Sequence, residues 1–409
     1  MAEINFIDDL FDKFLQNKPI IKPEKHRVLS STFIPDSLPH REQQMKDLAS
    51  ILASSVFRGS SPSNIFIYGK PGTGKTCVSK YVLNKLKNRL SQEGTPHRLQ
   101  YAFVNCKENS TTYSIYTAIS QAIQGEPIPP TGLPTSEVYQ RLLVQLENIG
   151  TAVVIVVLDE IDEIVRKKGG SEILYNLTRL NTHLTKSYVS LVGISNDTKF
   201  KDFLDPRVYS SLSEEEIVFT PYKATELMDI LQERALEAFF DNVLDNGVLS
   251  KIAALAARDH GDARRAIDLL RVAAELTERQ GEQRITLRHV EEAKGQIEKN
   301  VVYEVAASLP LHSKLVLTAI YMLNQQNQEI TTGKVYNIYS DFCKQNGFEI
   351  VSSRRVSDYL NEQDQLGLID SNVVSKGRYG RTRKITLNVP KPIIREVLEK
   401  DSYVSTFIS

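Results

Sequence analysis

"NIFIYGKPGTGKT" (Asn64–Thr76) decides the fold. It begins as a run of apolar residues with no polar alternation, the pattern of a strand buried on both faces. It then breaks into a glycine-rich loop ending in Lys-Thr and opens the helical pattern "CVSKYVLNKLKNRL". A buried strand that runs through such a loop into a helix sets backbone N–H groups around a phosphate. The loop comprises Gly69, Lys70, Pro71, Gly72, Thr73, Gly74, Lys75 and Thr76, with Cys77 just inside the helix. In this pattern Lys75 reaches the β- and γ-phosphates of a nucleotide and Thr76 ligates Mg²⁺.

Outward from this stretch, apolar runs recur in "YAFVNC", "TAVVIVVLDE", "VSLVGISN" and "EEIVFTPY", separated by helical patterns. The expectation is an α/β domain: a parallel sheet with helices on both faces. Acids at the C-terminal tip of a parallel strand sit where open α/β sheets bind ligands. Asp159 can therefore enter the Mg²⁺ shell, while Glu160 orients or deprotonates the attacking water. Asp162 and Glu163 read as caps of the next helix, with Asp162 alternatively in the metal's outer shell. Asn196, at the end of "VGISN", has two readings: a sensor between water and γ-phosphate, or a turn residue. Arg207 in "FLDPRVYSSL" also has two: an arginine finger acting on a neighbouring subunit, or a surface partner of Asp205.

From Lys223 to Asn300 strands give way to helical patterns, predicting an all-helical domain. "HGDARRAIDLL" starts a helix at Asp262 and puts Arg264 and Arg265 in its first turn. A cation there opposes the helix dipole and needs an anion, supplied by a γ-phosphate or by an acid of the sheet domain. Arg264 is the better-placed nucleotide sensor.

Beyond Val301 three helical segments precede two strand patterns around the tip "SKGRYGRTRK" (Ser375–Lys384). The chain carries 50 Lys+Arg against 50 Asp+Glu, so this basic cluster is local. "VSSRRVSDYL" gives a capped helix with Arg354, Arg355 and Ser357 off its apolar face. A short basic helix followed by a hairpin is the order of a winged helix-turn-helix, with the helix in the major groove and the wing on the backbone or in the minor groove. The tip residues Lys376, Arg378, Tyr379, Gly380 and Arg381 are then candidate DNA contacts. Basic hairpins also serve as solvated edges that block strand pairing.

The 409 residues call for two to four domains. Boundaries are expected at 1–20 (an amphipathic segment), 21–222 (nucleotide-binding, with a helical insertion near 107–150), 223–300 (helical lid) and 301–409 (winged helix). Three scattered cysteines with no His at metal spacing indicate neither a disulfide framework nor a zinc site. The N-terminus lacks a signal-peptide pattern and no run is long and apolar enough for a membrane span, so a cytoplasmic, nucleoid-associated protein without membrane partners is expected.

Together these motifs resemble an AAA+ ATPase. "SSTFIPDSLPHREQQMKDLASIL", "GKPGTGKT", "VVLDEID", "GISND", "DPRVYSSL", "FTPYKATELMDILQERA" and "GDARRAIDLLRVAAE" are similar, in that order, to the boxes of archaeal origin-recognition initiator proteins, relatives of the eukaryotic origin recognition complex and its helicase-loading factor. The resemblance covers roughly residues 20–400. It implies that the segment around His40, Arg41 and Glu42 wraps the adenosine and that Tyr222 flanks the base. It also implies that the Pro-rich loop "GEPIPPTGLP" (Gly125–Pro134) of the insertion approaches the minor groove, making Leu133, Pro134 and Thr135 DNA contacts, although such loops are also plain spacers.

The implied function is initiation of DNA replication: ATP-dependent binding of duplex origin DNA, recruitment of the replicative minichromosome-maintenance helicase, cooperation with initiator paralogues, and slow hydrolysis of ATP to ADP as a switch. An ATP-gated winged-helix transcription regulator is the alternative; it would lack the insertion and carry a ligand-sensing domain.

Overall fold

A computed structural model describes residues 18–93, 98–167, 169–197, 199–212, 215–375 and 381–408. The described chain forms two compact units, divided between Val290 and Glu291.

In the first unit five strands, β1 (Ile65–Gly69), β2 (Arg98–Asn105), β3 (Ala152–Asp159), β4 (Ser187–Ser195) and β5 (Glu215–Phe219), form one sheet in the order β2-β3-β4-β1-β5. Every pairing is parallel. Val154, Val156 and Leu158 of β3 enter one core while Val153, Ile155 and Val157 enter the other, which is why the strand reads as an unbroken apolar run. Helices α1 (Glu42–Arg58) and α2 (Lys75–Glu93) cover one face through Leu48, Leu52, Val78 and Val82. The other face is covered by α3 (Thr112–Ala122), α4 (Thr135–Asn148) and α6 (Gly170–Thr178), whose buried members include Ile115, Leu142 and Leu174. Between them lies the single turn α5 (Asp162–Val165), and α7 (Pro206–Leu212) precedes β5.

The insertion helices α3 and α4 are joined by a buried polar knot. Ser120 Oγ lies 2.6 Å from Gln145 Oε1, and Gln145 Nε2 donates to the Ser120 carbonyl at 3.0 Å. The Ile128 N–H donates to Ser120 Oγ at 2.9 Å, so the Pro-rich loop is tied to the same knot. Satisfied buried polar groups specify one arrangement where apolar packing alone tolerates several.

The lid consists of α8 (Ala224–Ala238), α9 (Val248–Arg258) and α10 (Ala263–Gln280). It is followed by α11, a continuous helix from Leu287 to Ser308 that runs through residue 300 without a break.

The second unit packs α12 (Leu311–Gln325), α13 (Thr332–Asn346), α14 (Ser353–Gln365) and α15 (Lys391–Lys400) around one core that includes Leu315, Tyr339, Leu360 and Ile394. Strands β7 (Ile369–Ser375) and β8 (Arg381–Leu387) make the expected hairpin, antiparallel from Ile369↔Leu387 to Ser375↔Arg381. A third, two-residue strand β6 (Ile330–Thr331) pairs with β8, giving the order β6-β8-β7. The fold is thus an AAA+ sheet domain with a helical lid, and a winged helix.

Candidate nucleotide and DNA sites

The parallel order of β1, β3 and β4 brings three distant motifs to one end of the sheet. Thr76 Oγ1 donates to Asp159 Oδ2 at 2.7 Å. Lys75 Nζ donates to the carbonyls of Gly69 and Lys70 at 2.7 and 2.8 Å and to Asn196 Oδ1 at 2.9 Å. Its ammonium is nearly enclosed, and burial pulls its pKa down to about 8, against the opposing pull of Asp159. Among the described residues the ammonium makes no ion pair within hydrogen-bonding reach; its three acceptors are neutral.

Glu160 follows with φ 56°, in the left-handed region that a non-glycine residue seldom occupies. Its N–H donates to Asp159 Oδ1 at 3.1 Å. Such local strain is characteristic of functional positions. Asp162 differs from the expected helix cap: Ile161 occupies the cap position, and the buried Asp162 carboxylate accepts from Ser195 Oγ at 2.8 Å. It therefore ties β4 to the turn after β3.

The lid closes on the phosphate loop from above. Asp262 caps α10 by accepting from the N–H groups of Arg264 and Arg265 at 2.8 and 3.2 Å. The N–H of Ala263 donates to the Gly72 carbonyl at 3.1 Å. A Cβ on Gly72 would lie 1.7 Å from Asp262 Oδ1, so only glycine admits this approach, and its φ of +70° demands the same. The tandem arginines then part company. Arg265 Nε is bound to Asp259 at 2.7 Å, whereas Arg264 lines the cleft and makes no side-chain hydrogen bond or ion pair among the described residues. This leaves Arg264 available to an anionic ligand.

A cleft of about 680 Å³ runs from Gly72, Gly74 and Thr76 to the lid residues Ile230, Arg234 and Ile267. The segment Ser31–Pro39 forms another stretch of its wall. The segment around His40, Arg41 and Glu42 follows directly on this wall. Arg41 is buried and spends its guanidinium on the carbonyls of Thr73 (2.8 Å), His40 (3.0 Å) and Thr220 (2.7 Å), with its carbon 3.7 Å from the centre of the Tyr222 ring. His40 pairs with Asp229 of α8 at 2.8 Å. Neither is among the residues that line the cleft: Arg41 braces backbone carbonyls, and His40 is held to α8 through the Asp229 carboxylate. Tyr222 does line it, its hydroxyl set against Gly74, and burial pushes its pKa up to about 12. The wall residues Phe33, Ile34 and Pro35 were missed individually; their signal was the apolar, proline-interrupted "FIPDSLP" just before α1.

Arg207 takes the second of its two sequence readings within this chain. It holds Asp205 in a bidentate pair at 3.1 and 2.9 Å, which pulls the Asp205 carboxyl down to about 2, and it is not among the residues lining the cleft.

On the second unit, Ser352 caps α14 by accepting from the Arg355 N–H at 3.3 Å. Val356, Tyr359 and Leu360 are buried, leaving Arg354 and Arg355 exposed. Arg355 lies 5.0 Å from the Tyr359 ring and 3.9 Å from Asp358. Ser357 Oγ instead donates back to the Ser353 carbonyl at 3.0 Å. Arg383 of β8 hydrogen-bonds Asn361 of α14, which fixes the hairpin against the helix. The tip residues Lys376, Arg378, Tyr379 and Gly380, and the side chain of Arg381, lie outside the described residues. In the insertion, Leu133 packs into the sheet-domain core, while Pro134 and Thr135 are exposed at the start of α4. Leu133 thus anchors the loop.

A phosphate loop served by β1, acids at the tip of β3, an amide after β4 and a lid arginine over the cleft define the AAA+ class of ATPase. Family models agree: an AAA domain matches residues 58–198, a Cdc6 AAA+ ATPase-type lid domain 228–295, and a CDC6 C-terminal winged helix domain 304–397. The chain is 47% identical over 409 residues to an ORC1-type DNA replication protein of Thermococcus onnurineus, covering 99% of this chain and 97% of the relative. It is 46% identical to the ORC1-type DNA replication protein 1 of Sulfurisphaera tokodaii, covering 96% and 95%. The structure of the Aeropyrum pernix ORC1 protein in complex with DNA superimposes with a TM-score of 0.86 at 45% identity, over 95% of this chain and 99% of that one. The chain belongs to the ORC1-type DNA replication proteins.

No helix among the described residues is long and apolar enough to cross a membrane.

Proposed function

We propose that this protein is a replication initiator that grips duplex origin DNA in an ATP-dependent, sequence-specific manner and recruits the replicative minichromosome-maintenance helicase, with slow hydrolysis resetting the complex. One observation carries this reading: a cleft between phosphate loop and lid and a winged helix with exposed arginines occur in one chain, 99% of which matches an ORC1-type protein. The Aeropyrum relative was captured on DNA.

In the cleft, Lys75 and the phosphate-loop N–H groups bind the phosphates of ATP, and Arg264 reaches the γ-phosphate from the lid. The hydroxyl of Thr76 and the carboxylate of Asp159, already 2.7 Å apart, form the hard oxygen donor set that Mg²⁺ prefers. Bound there, the ion supplies charge neutralisation at the phosphates. Glu160 orients and deprotonates the water for in-line attack, and Asn196 registers loss of the γ-phosphate through Lys75. Arg207, held by Asp205 outside this cleft, acts on the nucleotide of a neighbouring copy or paralogue. Because the nucleotide shifts a conformational balance, turnover is slow.

On DNA, Arg354, Arg355 and Ser357 face the major groove; the wing residues Lys376, Arg378, Tyr379, Gly380 and Arg381 contact backbone or minor groove. Pro134 and Thr135 provide a second contact, positioned by Leu133. The protein acts in the cytoplasm on the chromosome. The test is to incubate the full chain and ATP with fragmented genomic DNA of its source and sequence what is retained. Enrichment of one or a few early-replicating loci supports the proposal; enrichment at many promoters favours an ATP-gated transcription regulator instead.

A further inference from the structure

Strand β2 ends the five-strand sheet, so only one of its edges meets a neighbour. The N–H groups of Arg98 and Cys106 donate to the carbonyls of Thr151 and Asp159 at 3.4 and 2.8 Å. In a parallel pair alternate residues turn both backbone groups to the same neighbour, so the even-numbered residues of β2 face β3. Leu99, Tyr101 and Phe103 therefore turn their N–H and C=O groups away from the sheet. Among the described residues these groups have no hydrogen-bond partner. Unpaired strand groups of this kind are a template for another strand.

A groove of about 430 Å³ follows this edge, lined by Leu90 of α2, by Leu99–Tyr101 and by Ile123 and Gln124 after α3. Leu90 belongs to the core on one face of the sheet and Ile123 to the core on the other, which sets the groove at the strand's edge. Gln100, only 7% exposed, lines it. Its Oε1 accepts from the Gln124 N–H at 2.6 Å, but its Nε2 has no partner among the described residues. A buried donor left in that state is costly and points to an acceptor that comes from outside. Lys87 and Arg98 also line the groove, are exposed, and form no ion pair among the described residues; the Lys87 ammonium lies 5.3 Å from the centre of the Tyr101 ring.

We propose that the open edge of β2 is a docking site for an extended, acidic segment of a partner protein, which joins the sheet as a sixth strand. Main-chain hydrogen bonds to Leu99, Tyr101 and Phe103 hold the segment, Gln100 Nε2 donates to one of its oxygens, and its acids pair with Lys87 and Arg98. A second copy of this chain is not the occupant, since two such edges would set Lys87 and Arg98 against like charges. Cations beside an edge also serve as guards that repel other strands, but a guard leaves the Gln100 donor unexplained.

The test selects displayed random peptides of about ten residues on the full chain, then follows the enriched peptide by fluorescence and by hydrogen exchange at single amides. Acidic, β-branched sequences should be enriched, and the bound peptide should slow exchange at Leu99, Tyr101 and Phe103 by about tenfold or more. Lys87→Glu combined with Arg98→Glu should weaken it by about tenfold to a hundredfold, and Tyr101→Pro, which removes one outward N–H, by about threefold to tenfold. If Tyr101→Pro does not fold by circular dichroism, the charge variant and the exchange pattern carry the test. No enrichment, neutral or basic winners, or protection away from β2 would overturn the inference and leave the cations as edge guards. Protection of these amides by an oligothymidylate but by no peptide would overturn it in favour of a single-stranded nucleic acid platform.

Discussion

The nucleotide cleft and the winged-helix surface put positive charge to opposite uses. Lys75 is enclosed, and three acceptors hold its ammonium before any ligand arrives. Arg354 stands in solvent with no side-chain hydrogen bond or ion pair among the described residues. The first arrangement is preorganised, so each group acts strongly and fails individually. On the proposed function the second gains its free energy from counterions released to bulk water, so each charge contributes a modest, salt-dependent share. The contrast predicts steep losses in the cleft and graded ones on the wing.

Glu160→Gln should show the largest effect, a fall in kcat of about 10²- to 10⁴-fold with ATP affinity kept. Phosphate release and binding isotherms measured on the same sample check this; full turnover would remove Glu160 from the water-activating role. Lys75→Ala should weaken ATP by at least about a hundredfold while DNA binding without nucleotide is unchanged.

The lowered Lys75 pKa gives a pH signature. Phosphates favour the charged ammonium, so its pKa rises on binding. Near pH 8 or above, where part of the free protein has lost this proton, ATP binding should take one up; well below pH 8 Lys75 should contribute no uptake. Calorimetry in two buffers of different ionisation enthalpy measures this, and Lys75→Arg should abolish it.

Gly72→Ala should destabilise the protein by about 2–4 kcal/mol, since it adds left-handed strain to a clash with Asp262. An unchanged melting profile would place the lid elsewhere. The smallest effect belongs to α14: Arg354→Ala should reduce the slope of log affinity against log salt by about 1, on origin and random DNA alike if it contacts phosphate only. Loss confined to one sequence would make it a base contact.

The meeting of Lys75, Thr76, Asp159 and Asn196 at one end of the sheet was legible because they sit in contiguous motifs whose spacing reflects backbone geometry. Gly69–Thr76, Asp159–Glu160 and Asn196 end apolar strands, and strand ends are legible from hydropathy. The cleft wall was not legible in the same way. Ser31–Pro39 acquires its role only when α8 is folded against it, through contacts about 200 residues apart such as Arg234 to Phe33. The bracing contacts of Arg41 were hidden too, because its three acceptors are carbonyls that no motif encodes. On the wing side, β6 escaped notice because two residues show no period; pairing with Lys384 and Ile385 makes them a strand. The role of Asp162 was likewise hidden, since its partner Ser195 lies on a different strand.

On the proposed function, the nucleotide in the cleft controls the grip on DNA. The most direct test takes one locus recovered from the genomic selection and titrates it with the protein in ATP, in ADP, and as Glu160→Gln in ATP, at one fixed salt concentration. The account predicts that Glu160→Gln in ATP and wild type in ATP share one binding curve at early times. Wild type should then drift to the ADP curve, a different one, as hydrolysis proceeds. Identical curves in ATP and ADP throughout would contradict it.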